Sequence, residues 1–407
     1  MQALVMSLTQ EKSARDANLN FLEEPVRANI GALLATPDIK IGSAGAVSYL
    51  MKLIPAESLE SLLHELVYRL IRSKCLDRYR FDGEFLVTID GVEILRWKNR
   101  RHCACCLTAK HSDGSTDYFH QFVDTKLVAN TGLALSLGFM SVENVNGVYE
   151  KQACETLTGR RALERLKERF PHQRLCILGD ALYACDETIS LILGSGWSMF
   201  LSFVPGRIPS LYQEAERKLA AHPKNRIEVK DTENQESRVY RWVTNLRYRS
   251  HELHAVFVDI TKDKGKFVQL SYLTDHRPNN DNVQKLVDLG GRQRAKIENS
   301  FNTQKNHGYR LEHVYSSQGH ALKNYYAITQ ICHMIHQFMV HTDLLKKLAE
   351  PTGGLLMAMC YVLTAFGSVR HFIEKLADSW RARLLTSVEA LRAKAANIQI
   401  RFLDDTS

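Results

Sequence analysis

The sequence predicts an α/β fold: a mixed sheet with helices packed on it, interrupted by an all-β insertion and flanked by helical N- and C-terminal regions. Three observations carry this expectation. Residues 174–204 read strand, helix, strand, an order that lays a helix over a sheet. Residues 225–274 hold four consecutive strand-like runs, "RIEVKD", "SRVYRWVTNLRYR", "LHAVFVDI" and "FVQLSYLTD", joined by polar turns. The first 80 residues, and the chain from about 280 onward, show helical periodicity instead.

Taken in order, "ESLESLLHELVYRLIRSK" places Leu59, Leu62, Leu63, Leu66, Leu70 and Ile71 at helical spacing, with Ser58 expected as the N-cap. The period then changes. "FLVTIDGVEIL" (85–95) and "DYFHQFVDTKLVAN" (117–130) are rich in β-branched and aromatic residues and flank the turn-like "KHSDGST". Further strands are expected in 101–109 and 132–140. A helix over 154–170 carries Leu157, Leu163, Leu166 and Phe170 on one side, with Pro171 just past its end. The buried strand "RLCILGD" (174–180), a helix over about 183–194 and the strand "WSMFLSFV" (197–204) follow, with Trp197 expected in the core. Three regions result: 1–80, 81–330 with the insertion at about 205–275, and 331–407.

Composition narrows the class. Charged residues make up 24% and hydrophobic ones 45% of 407, enough for a sizeable core. The net charge of +8 is modest and becomes informative only where cations cluster. Nine cysteines, an odd count without a regular framework, are expected to be reduced, which argues for a cytosolic chain and against a disulfide scaffold. "MQALVMSLTQEKSARD" lacks the pattern of a secretory signal. The run "LLMAMCYVLTAF" (355–366) is too short to span a bilayer and is expected to be a buried helix in a soluble protein.

Three carboxylates stand out. Asp90 closes "LVTID" and Asp180 closes "LCILGD"; an acid at the end of an apolar strand is held at the rim of a sheet, where α/β folds bind ligands. Taken singly, each is also what starts an ordinary turn. Glu298 sits in "RQRAKIENSFNTQKN" among Arg292, Arg294, Lys296 and Lys305. On a helix Arg294 lies about 40° from Glu298, and Lys305 returns to within about 20° of it, so the three share one face. Carboxylates on a sheet and an adjoining helix can bind a pair of Mg²⁺ ions about 3.5–4 Å apart. A polyanionic strand across that face would meet two cations beside a metal ligand. The bland alternative is an i,i+4 Arg–Glu pair on a solvated helix, which leaves Lys305 unexplained.

The order Asp90, Asp180, Glu298 resembles the DDE transposases of bacterial insertion sequences, in the branch with a β-strand insertion before the glutamate and the signature Y-x2-R-x3-E-x6-K. "GRQRAKIENSFNTQK" supplies Arg294, Glu298 and Lys305 at those intervals, while Gly291 stands where the signature has tyrosine. The resemblance covers about residues 80–330 and implies a ribonuclease H-like catalytic core. It implies Asp90, Asp180 and Glu298 as catalytic ligands of two Mg²⁺ ions, which Mn²⁺ can replace. Arg294 and Lys305, with Arg292, would position phosphates of double-stranded DNA. The helical N-terminal region would bind the element's ends, and the C-terminal one would serve dimerisation or DNA contact, in a homodimer acting in the bacterial cytoplasm on nucleoid DNA. The activity implied is cleavage at the element's ends and transfer of the freed 3′-OH into target DNA. The glycine bears on hairpin formation more than on cleavage. Two alternatives stay open: a catalytically silent DNA-binding descendant, and a metal-dependent nuclease without strand transfer.

In "HCACCLTAKH" (102–111), Cys103, Cys105, Cys106 and His111 form a candidate zinc set, against the commoner role of cysteine as a small buried hydrophobe. Asp124 competes with Asp90 but reads as an ordinary strand residue. Asp186 and Glu187 fall in the first turn of a helix, where acids complement the dipole. In "RVYRWVTNLRYR", Arg241, Trp242, Arg247, Tyr248 and Arg249 could line DNA, with Trp242 stacking on an exposed base, though a half-solvated strand alternates in the same way. The basic helical stretch near the C-terminus leaves DNA contact and a subunit interface both open.

Overall fold

A computed structural model of the chain describes residues 1–11, 13–36, 40–103, 105–143, 151–231, 236–262 and 266–342. The expectations for 343–407, including the apolar run at 355–366, lie outside the described residues. The chain packs as two compact units, one of residues 77–298 and one joining 1–76 to the segment from 299 onward. Residues 299–330, grouped with the central region by sequence, pack with the N-terminal helices.

The unit of 77–298 is α/β. Its strands are β1 (Phe85–Lys98), β2 (Leu107–Lys110), β3 (Thr116–Val128), β4 (Ala134–Val142), β5 (Leu175–Gly179), β6 (Ser198–Ser202), β7 (Arg226–Asp231), β8 (Glu236–Tyr248), β9 (His251–Thr261) and β10 (Phe267–Thr274). They form one mixed, mostly antiparallel ten-stranded sheet in the order β2-β3-β1-β5-β6-β10-β9-β8-β7, with β4 paired on β3. β1, β5 and β6 run parallel, and the connections between them carry the helices α6 (Lys151–Arg169) and α7 (Asp186–Gly194). β5 is buried along its whole length, as a strand covered on both faces requires. The four strands of the insertion, β7 to β10, do not make a separate sheet. β10 pairs antiparallel with β6, so the insertion extends the central sheet; nor is it all-β over 205–275, since α8 (Pro209–Ala221) forms its first part. Trp197 is buried as expected, its Nε1 donating to the carbonyl of Gln173 at 3.2 Å.

Two details of the sequence reading change. Leu157 on α6 is 43% exposed, because it lies off the stripe of Leu163, Leu166 and Phe170, which are buried. Ser58 does not cap its helix, which begins a turn earlier.

The other unit is helical: α1 (Gln2–Leu8), α2 (Ala14–Leu22), α3 (Glu24–Leu33), α4 (Ala44–Leu53), α5 (Ala56–Arg72) and α11 (Ala321–His341). Its core gathers Met6, Phe21, Ile30, Met51, Tyr325 and Cys332. α11 is tied down by Asn324, whose amide donates to the carbonyls of Met51 and Ile54 at 2.8 Å each. No helix among the described residues is long and apolar enough to cross a membrane.

Between β10 and this unit the chain turns through α9 (Val283–Lys285), a π-helical segment (Leu286–Gly290) and a 3₁₀ turn (Gly291–Arg294), and then enters α10 (Ala295–Asn306). Irregular helix of this kind is often found at functional sites.

Candidate active site

Asp90 does not end its strand. β1 continues through it to Lys98, because its antiparallel pairing with β3 carries on as far as Lys98 opposite Asp117. What stops is the parallel pairing with β5, whose last register pair is Ile89 with Gly179. The next positions on the two strands are Asp90 and Asp180. The sheet thus opens between β1 and β5 at the point where the two acids stand, the crevice at the carboxyl ends of parallel strands.

Local backbone fixes both side chains. The N–H of Gly91 donates to Asp90 Oδ1 at 2.8 Å, and the N–H of Leu182 donates to Asp180 Oδ1 at 2.8 Å, Asp180 capping a short 3₁₀ turn. Glu298 arrives from the first turn of α10. It is joined to the pair through Arg294, whose guanidinium hydrogen-bonds Glu298 Oε1 and lies 3.9 Å from Asp90 Oδ2. Arg294 also acts electrostatically on Asp180. One guanidinium therefore contacts Glu298, lies beside Asp90 and is felt electrostatically by Asp180. Glu298 is half-exposed, whereas Asp90 and Arg294 are mostly buried.

The charge balance is unfavourable to full ionisation. Burial, then the neighbouring charge of Asp180, pushes the Asp90 carboxyl up to about 7, with Arg294 and the Gly91 N–H opposing. Burial likewise raises Asp180, opposed by the N–H of Leu182 and by Arg294.

A fourth acid, which the sequence reading passed over, stands behind these. Glu155 on α6 is buried, accepts a hydrogen bond from Gln121 on β3, and adds to the negative field at Asp90. Gly91 makes room for it: a Cβ there would fall 2.8 Å from the Glu155 carboxyl and 2.6 Å from the Gln121 amide. Glu155, Gly159, Leu163, Leu166 and Phe170 make one stripe on α6, so an acid continuing an apolar stripe was the available signal. Tyr183, fully buried, packs against Gly159 on the same stripe.

Arg292 pairs with Asp288 at 3.1 Å. Lys305, on α10 with Glu298, has its ammonium 2.8 Å from Glu312. Trp242 is 4% exposed and packs in the sheet's core with Phe200, Tyr240 and Val256, so its ring is not presented for stacking on a base; alternation put it on the inner face of β8. Arg241 from the same strand pairs with Asp259, while Arg247 and Arg249 are exposed. Asp124, opposite Asp90 in the β1–β3 register, is fully buried, accepts from Ser136 at 2.7 Å and lies 3.7 Å from the buried ammonium of Lys126. That is a structural ion pair inside the sheet. Asp186 and Glu187 occupy the first turn of α7, as expected.

Gly291, where the signature calls for tyrosine, has a physical reason to be glycine. A Cβ there would lie 2.8 Å from the ring of Tyr272, which comes from β10 and is buried. The candidate zinc set also changes. His111 pairs with Asp117 at 2.9 Å, and the histidine that converges with the cysteines is His120 on β3, 3.7 Å from both Cys103 and Cys106.

Asp90, Asp180 and Glu298 are hard oxygen donors of the type Mg²⁺ takes, but with Arg294 between them they do not converge within 4.8 Å of one another as the ligand atoms of Cys103, Cys105 and His120 do. Comparison of the chain with protein-family models and with curated proteins finds no match to either.

Proposed function

We propose that this chain is a Mg²⁺-dependent DNA phosphoryl-transfer enzyme of the DDE transposase type, with Asp90, Asp180 and Glu298 as the metal ligands. The observation that carries the reading is that one guanidinium, Arg294, lies beside Asp90 of β1, is felt electrostatically by Asp180 at the end of β5 and contacts Glu298 of α10. The strand order β4-β3-β1-β5-β6, with β3 antiparallel to a parallel β1, β5 and β6, supports a ribonuclease H-like core, and the antiparallel β7–β10 stand in the interval where that branch carries its insertion.

When bound, a pair of Mg²⁺ ions would supply activation of the attacking oxygen and stabilisation of the leaving oxygen at phosphorus. The protein's own residues set the conditions for this. The N–H groups of Gly91 and Leu182 hold one oxygen of each aspartate, which orients the other. Arg294 neutralises the acids in the free protein and is free to turn to a DNA phosphate once cations replace it, a bidentate role suited to guanidinium. Lys305 would add a second phosphate contact. A dimer acting on two DNA ends completes the reading.

The test compares wild type with Glu298→Gln on a duplex carrying the sequences that flank the gene, with Mg²⁺, with Mn²⁺ and with EDTA. Cleavage and joining by wild type with either metal, and binding without either reaction by the variant, is the expected result. Cleavage without joining would leave a nuclease. If the variant cuts as well as wild type, Glu298 is only the ion-pair partner of Arg294.

A further inference from the structure

The loop between β1 and β2 brings together sulfur and nitrogen donors that the carboxylate site does not use. Cys103 and Cys106 place their sulfurs 3.4 Å apart, and each lies 3.7 Å from Nε2 of His120. The sulfur of Cys105 is in contact with that of Cys103, as in a disulfide, and Cys103, Cys105 and His120 converge within metal-binding reach of one another. We propose that Cys103, Cys105, Cys106 and His120 form a structural zinc site, one that stands independently of the reading of the carboxylates.

Three edges have the lengths that a metal would set, and Cys105 would complete the set once reduced from its contact with Cys103. Tetrahedral zinc with sulfur at ~2.3 Å and imidazole nitrogen at ~2.0 Å sets S–S edges of about 3.8 Å and S–N edges of about 3.5 Å. The edges from Cys103 to Cys106, and from each to His120, fall close to these values. Three thiols and one imidazole also match the Cys₃His set of closed structural sites, which leave no position open for substrate. Binding releases the three thiol protons to solvent and leaves the cysteines as thiolate ligands.

The rest of the geometry fits a clamp. His120 lies on β3, opposite Leu95 of β1, whereas the three cysteines belong to the stretch leading from Lys98 to Leu107. The metal would fasten that stretch to the sheet. His102 is not a fifth candidate, since its ring stacks on Trp97 at 4.5 Å and 15°. Arg100 and Arg101, both exposed, are carried by the fastened loop.

The experiment uses the full chain purified under reducing conditions without chelator. Zinc is measured by mass spectrometry of the digested protein, and Co²⁺ is substituted to read thiolate-to-metal absorption. The expected result is one zinc per chain, a tetrahedral thiolate spectrum with Co²⁺, loss of the metal in Cys106→Ser and His120→Ala, and full retention in His111→Ala. Should the ligand variants misfold, alkylation of the wild type decides: Cys103, Cys105 and Cys106 should be protected until the metal is chelated. Glu298→Gln should keep its zinc, which separates this site from the carboxylates. The proposal is overturned if wild type reconstituted with Zn²⁺ holds none. It is also overturned if His111→Ala or Glu298→Gln loses the metal, or if the reduced protein still shows a Cys103–Cys105 disulfide.

Discussion

Replacing Asp90 by Asn should make the metal-free protein more stable at pH 8. The Asp90 carboxyl is pushed up to about 7, first by burial and then by the charge of Asp180. Its folded-state value thus lies above the ordinary 3.8, so the folded chain keeps a proton that the unfolded chain releases. Below pH 4 both states are protonated and the carboxyl costs nothing. Stability then falls as the pH rises from about 4 to 7 and levels off above that, at a total of about 4 kcal/mol. Asn has the same shape, still accepts from the Gly91 N–H and carries no charge. It removes this cost, while Arg294 loses one partner and keeps Glu298. The variant should exceed wild type by about 2–4 kcal/mol at pH 8 and match it near pH 4. Urea unfolding with EDTA measures the difference. Fluorescence reports mainly the relevant unit, because three of the four tryptophans, Trp97, Trp197 and Trp242, lie in 77–298, and Trp380→Phe in both proteins removes the fourth signal. Added Mg²⁺ should narrow the gap by stabilising wild type alone. If Asn destabilises at pH 8, or the gap does not grow with pH, Asp90 is a satisfied ion-pair partner and the reading of the site as electrostatically strained is wrong.

Three further outcomes are expected. Gly291→Ala should destabilise: its helical φ of −53° accepts alanine, worth ~0.4–1 kcal/mol through the unfolded chain, but overpacking against Tyr272 costs ~1–3 kcal/mol. Adding Tyr272→Ala should give a double variant less damaged than the sum, and additivity in denaturation would refute the contact. Burial holds His336, beside the Tyr309 hydroxyl at 2.7 Å, down at about 4, so stability is lost as pH falls from 6.5 towards 4 while the unfolded chain takes up the proton. His336→Gln should keep about 3 kcal/mol that wild type loses over that window, and parallel melting-temperature curves for the two would disprove it. Lys305→Ala should lower the slope of log binding constant against log salt for duplex DNA by about 0.9, one phosphate contact; an unchanged slope would leave Lys305 serving only Glu312.

Period and composition were enough to mark most elements, because helix and strand spacing are local properties of the chain. The strand–helix–strand run at 174–204, the four strands of the insertion and the helical beginning all follow from which residues recur on one face. Asp180 was legible as the residue after an apolar strand. Asp90 was found for a reason that does not hold: its strand continues, and what sets it apart is the end of a register with a strand about 90 residues away. Register is a tertiary fact, and so is everything that depends on which faces meet. It puts Trp242 inside rather than outside, brings Glu155 behind Asp90, and lets Tyr272 fill the space at Gly291. The same holds for the cysteines. Sequence proximity proposed His111, but neighbouring strands brought His120 to them, since antiparallel pairing decides which distant side chains share a face.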